Sequence, residues 1–151
     1  MPLKRASHWM REALVLACEA RDRDEVPVGA LVVRGDRIIG RGANAPRRDH
    51  DPTAHAEILA LRQAAALSGD DRLTGCDLYV TLEPCAMCAG AIAHARIRRL
   101  YYGAPDPKGG AVAHGPRLFD QPTVHHQPEV YGGIGEEEAA DLLRQFFQSR
   151  R

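Results

Sequence analysis

The chain has 151 residues, 44% of them hydrophobic and 26% charged, which is the size and make-up of one domain with its own core, expected to span positions 1–151. No apolar run approaches the roughly 20 residues of a membrane span, and Met1-Pro2-Leu3-Lys4-Arg5 opens a polar amphipathic pattern and not a signal peptide, so no membrane contact and a cytoplasmic location are expected. Lys plus Arg and Asp plus Glu balance at 20 each, which speaks against a protein that grips long nucleic acid by bulk charge.

In chain order, Ser7 is placed to cap a helix in which Trp9, Met10, Ala13, Leu14 and Ala17 recur at helical spacing. Val28–Val33 and Arg37–Ile39 read as two strands joined at Gly35-Asp36, a glycine-first pair suited to a tight hairpin. After a loop from Gly42 to Pro52, Thr53 offers a cap for a helix carrying Ile58, Leu59, Leu61, Ala65 and Leu67, ending near Gly69. Leu78–Leu82 is unbroken in its apolar character and so reads as a strand buried on both faces. It feeds Glu83-Pro84, where proline marks a helix start, and that helix runs to about Ala95.

Ile97–Tyr102 gives a further strand, and Gly103 to Gln127 is loop-like. Glu129-Val130-Tyr131 is a short fifth strand. Glu136 to Glu138 open a last helix where acids favour the dipole, with Leu142, Leu143, Phe146 and Phe147 on its buried side. Alternating strands and helices of this kind predict a three-layer α/β domain without repeat or linker.

Chemistry concentrates in His55-Ala56-Glu57 and Pro84-Cys85-Ala86-Met87-Cys88. Together they supply one imidazole, two thiols and a carboxylate. A structural zinc site takes four protein ligands, whereas a catalytic one takes three and keeps a position for water. Cys85 and Cys88, three apart at a helix start, can share a metal, and the helix dipole favours the thiolate that zinc requires. His55 and Glu57 are two apart and would point to opposite sides of a helix. Both can address one metal only from the helix end, with Glu57 meeting the water and not the metal.

A purely structural zinc clip would need a fourth ligand. The nearest, Cys76, lies across the Leu78–Leu82 strand, roughly 20 Å away at about 3.3 Å per residue. A redox role for Cys-x-x-Cys would leave His-x-Glu idle. The remaining histidines sit singly, apart from His125-His126, and most read as surface residues. Arg47 and Arg48, beside the helix start, fit either phosphate contact or a solvated surface.

H-x-E with P-C-x-x-C is the signature of zinc nucleobase deaminases. The sequence around it, together with Val26–Ala30, Ala104–Ala111 and the terminal helix with Phe146-Phe147, resembles the bacterial tRNA-specific adenosine deaminases, from about Ser7 to the end. The resemblance implies an α/β/α cytidine-deaminase-like fold with a central mixed five-stranded sheet, a homodimer, and one zinc (Zn2+) per subunit. It implies deamination of adenosine to inosine at the wobble position of an arginine tRNA, recognised through its anticodon stem-loop.

Carried over by position, His55, Cys85 and Cys88 bind zinc, and Glu57 shuttles protons while a zinc-activated water attacks C6 of a flipped-out adenine and ammonia leaves. Asn44, Val28, Ala56 and Asp106 are expected to contact the substrate, Asn44 by a hydrogen bond to the base. The segment Gly110–Pro128 departs from the family pattern. Because the two motifs are shared across the superfamily, a deaminase of a free base or nucleotide, of guanine or cytosine type, is the alternative.

Overall fold

The computed structural model describes residues 2–150. Helix α1 (Pro2–Asp22) is followed by strands β1 (Gly29–Arg34) and β2 (Arg37–Ala43), helix α2 (Ala56–Ser68), β3 (Asp77–Leu82), α3 (Ala86–His94) and β4 (Arg99–Ala104). A single 3-10 turn at Leu118–Asp120 interrupts the long loop before β5 (Glu129–Tyr131) and α4 (Glu136–Gln148). The sheet order is β2-β1-β3-β4-β5, antiparallel where β1 meets β2 and β3, parallel from β3 through β4 to β5. This is the mixed five-stranded α/β sheet expected from the resemblance.

Strand alternation sorts the core onto two faces. Ala30, Val32, Leu78, Val80, Leu100 and Tyr102 pack with residues of α2 and α3. Leu31, Val33, Tyr79, Tyr101 and Ala104 pack with α1 and α4. The sheet is therefore a middle layer, and β3 is buried along nearly its whole length, as its unbroken apolar run predicts. Gly35 turns the β1–β2 hairpin at φ 62°, a conformation glycine takes at no steric cost.

Three helix starts differ from the expected ones. Ser7 lies inside α1, which begins five residues earlier at Pro2, because proline is tolerated in a first turn and nothing between it and Ser7 breaks the helix. Thr53 does not cap α2: its hydroxyl and backbone N–H both donate to the Asp51 carboxylate, and His55 occupies the cap position. Pro84 precedes α3 and is not its first residue, since Cys85 is the cap. Two side chains expected to be buried also face solvent: Leu67 on α2 is 64% exposed and Phe147 on α4 is 53% exposed. Their neighbours carry the packing, Leu61 and Ala64 on α2 and Phe146 on α4.

One close approach sets where α2 begins. A Cβ on Gly42 would stand 2.1 Å from the carbonyl oxygen of Ala56, and one on Gly40 2.2 Å from that of Ala60. Without side chains at these two β2 positions, the α2 backbone lies directly on the sheet edge. That fixes the first turn of α2, and with it His55, at one end of the sheet.

Candidate metal centre

His55 and Cys85 play the same structural part in their two helices. Each is the cap residue, extended at φ −71°, ψ 152° and φ −74°, ψ 176°, and neither side chain makes the usual cap hydrogen bond. An imidazole or thiol in that position is free to turn off the helix end, and the two turn toward each other. The His55 Nδ1 atom lies 3.7 Å from Cys85 Sγ and 3.5 Å from Cys88 Sγ, and the three ligand atoms all fall within 4.8 Å of one another. Tetrahedral zinc with ordinary Zn–N and Zn–S bonds separates such atoms by about 3.6 Å. The donor set therefore fits zinc in both chemistry and spacing, and three ligands leave a coordination position for a small molecule. Among the described residues no other group of three histidines, cysteines or acids comes together in this way. Cys76 is buried at the far end of β3 and takes no part.

Glu57 is the second residue of α2 and only 4% exposed. Because His55 is the cap and not a helical residue, the two need not point to opposite sides, and the constraint posed by their spacing is met. Burial pushes the Glu57 carboxyl up to about 7, and the nearby Cys85 adds to the effect. The Cys85 thiol is drawn down to about 5, chiefly by a hydrogen bond from Cys88, whose own thiol is pushed up by that bond and by burial. One thiolate is thus favoured at the helix start even before a cation adds to it.

The expected substrate residues flank this cluster. The Asn44 N–H donates to the carbonyl of Val28 at 3.0 Å, and the next residue, Ala45, donates to Ala54 at 3.0 Å, so Val28 and Asn44 lie beside the segment that delivers His55. Ala56 is fully buried at the first position of α2. Asp106 sits on the other flank, after β4. Its side chain is occupied, with Oδ1 accepting from the backbone N–H groups of Lys108 and Gly109 at 3.2 and 2.9 Å. An open hollow of about 530 Å³ adjoins it, lined by Val26, Leu82, Pro105, Asp106 and the exposed Phe147, among others.

Two buried acids went unread in the sequence. Glu25, 2% exposed, accepts from the N–H groups of Arg47 and Arg48 and thereby ties down the loop before α2. Glu83, also 2% exposed, holds the loop after β4. The Glu83 position beside Pro84 was visible, but its partners lie 23 to 31 residues away and are mostly backbone groups, which no pattern advertises. His114, half-buried, is one of those partners.

Comparison with known proteins agrees with this geometry. Residues 3–104 match the model of the cytidine and deoxycytidylate deaminase zinc-binding region. The chain is 59% identical over 145 residues, 96% of its length and 95% of the relative's, to a protein of Agrobacterium fabrum called tRNA-specific adenosine deaminase. A structure from work on A-to-I editing by tRNA:A34 deaminases at the wobble position superposes with a TM-score of 0.89, at 59% identity over 90% of this chain and 99% of that one. A guanine deaminase from Nitrosomonas europaea is similar at lower identity, 26% over 91% of this chain and 81% of the other, with a TM-score of 0.76.

Proposed function

The chain belongs to the cytidine and deoxycytidylate deaminase family, and from that premise we infer its reaction: it deaminates adenosine to inosine at wobble position 34 of tRNA. One observation carries the choice of substrate within the family. The 59% identity runs through nearly the whole chain, well beyond the two metal-site motifs shared with guanine deaminases. The substrate tRNA is proposed to be an arginine tRNA, met through its anticodon stem-loop.

His55, Cys85 and Cys88 would hold one zinc ion per subunit. When bound, zinc supplies the Lewis acidity that makes a water nucleophilic near neutral pH. Glu57 is the proton carrier. Its carboxylate accepts one proton from the attacking water and passes it to a ring nitrogen of adenine, then takes the second from the hydroxyl now on C6 and passes it to the amino group, which departs as ammonia while C6 becomes a carbonyl. Because Glu57 is walled off from solvent, the protons it handles stay with the substrate. Asn44 would hydrogen-bond the flipped base, with Val28 and Ala56 walling it, and Asp106 would stand beside the neighbouring nucleotides.

A homodimer is proposed from the family resemblance. A partly apolar groove between α2 and α3, lined by Ile58, Leu61, Ala65 and Ala91 among others, offers surface for it. Among the described residues no helix is long and apolar enough to cross a membrane, and a tRNA substrate fits a cytoplasmic place of work for a single deaminase domain.

The test is direct. Zinc-loaded protein is incubated with an arginine tRNA carrying adenosine at the wobble position, which is then reverse-transcribed and sequenced. An A-to-G read at that position is expected. An unchanged read, with free guanine or cytosine consumed instead, overturns the assignment to tRNA.

A further inference from the structure

We propose that Glu83 is a positioning residue: its buried carboxylate fixes the 106–114 segment beside the metal centre, and so governs how well the enzyme engages its RNA and not how fast it turns over. The inference rests on the reading that Asp106 faces the RNA.

The Glu83 side chain is fully buried. Its Oε1 accepts from the Asp106 N–H at 3.0 Å and from His114 Nδ1–H at 2.8 Å. Its Oε2 accepts from the consecutive N–H groups of Val112, Ala113 and His114 at 3.1, 3.0 and 3.2 Å. Three successive amides converging on one oxygen form an anion-binding nest, and the anion here is a side chain of the protein itself. An ionised carboxyl out of water costs several kcal/mol unless its lone pairs are filled. All five donors that fill them come from the one segment.

The segment is also shaped for the carboxylate. A Cβ on Gly110 would stand 2.5 Å from the Asp106 carbonyl oxygen and 2.5 Å from Cδ and Oε2 of Glu83, so only glycine lets the chain close over it. No side-chain bond of Glu83 reaches α3 or a metal ligand. Its own backbone N–H is held separately, by the Ala104 carbonyl at 2.9 Å. Loss of the carboxylate would therefore untie residues 106 and 112–114 from the strand end, leaving the segment anchored at Ala111 by its N–H to the Pro84 carbonyl and its carbonyl to the Leu118 N–H, while the strand end and the helix start keep their own bonds.

Glu83→Gln keeps the shape but turns an NH2 group toward N–H donors on one side. Gly110→Ala disturbs the same segment by a steric route, and His114→Ala removes one donor, so the three do not share one folding risk. Expected are unchanged zinc content, KM for an adenosine-34 stem-loop raised at least about tenfold with kcat within about threefold, and faster hydrogen exchange at the amides of residues 106 and 112–114 but not in β3. A smaller shift of the same kind is expected for His114→Ala. Zinc loss, a fall in kcat at constant KM, or undisturbed exchange at those amides overturns the proposal. A wild type that leaves the stem-loop untouched overturns the tRNA reading, and the RNA half of this one with it. The wild-type control tells that outcome from a failure of Glu83 alone.

Discussion

Glu57 is a carboxyl group in a place where carboxyls are costly, buried against two thiols and an imidazole. It is not part of the three-atom cluster. Glu57→Ala should therefore keep zinc at the wild-type ratio by metal analysis while kcat falls about 10²- to 10⁴-fold, the range expected when a general acid–base is removed. Cys88→Ala should do the opposite in the first measurement and lose the metal. These four residues were legible because their chemistry depends on identity and short spacing, which a sequence displays. Their backbone setting was not. Thr53 has the residue type of a cap, yet the Asp51 carboxylate two residues away captures its hydroxyl, and the imidazole of His55 is left at the helix end. Glu25 and Glu83 were illegible for a related reason, since an acid bonded to distant backbone N–H groups has no partner that a sequence can name.

At the scale of elements, the metal centre depends on two helix starts held at one end of the sheet. For α2 the hold is the contact with β2 at Gly40 and Gly42. Gly42→Ala should push the first turn of α2 off the sheet, with a stability loss of about 1–3 kcal/mol, as for an overpacked core. Thermal melting reads that loss, and metal competition should show weaker zinc binding although no ligand was changed. Wild-type zinc affinity in this variant would mean that the site does not depend on this contact. For α3 the hold is the parallel β3–α3–β4 unit, whose strands pair from Asp77↔Arg99 to Leu82↔Ala104. The unbroken apolar run of β3 made that unit readable. The hollow left by outward-facing Phe147 was not, because helical periodicity cannot say which of two adjacent phenylalanines meets the core.

For the whole molecule, two cores, one on each sheet face, include none of the three ligand residues. Chelation with EDTA should abolish deamination and leave the far-ultraviolet dichroism and a cooperative melt in place, unlike a zinc clip, whose removal unfolds the chain. The zero net charge makes a second expectation. Affinity for the stem-loop should fall only gently with salt, with a slope on a log–log plot of magnitude below about 4, since few phosphates are neutralised. A slope near that of a general nucleic-acid binder would point to a basic surface that the charge balance hides.

The pairing of β3 between β1 and β4 has a consequence for biosynthesis. His55 and the two cysteines lie within 34 residues of one another, counting from 55 to 88, but the sheet on which their helices rest has a strand on either side of β3. The second of those strands, β4, ends at Ala104. A nascent chain that has emerged only as far as Cys88 carries all three ligands and still lacks β4. A chain arrested at Cys88 should therefore bind zinc more weakly than the full chain, a difference that metal competition on the two would read.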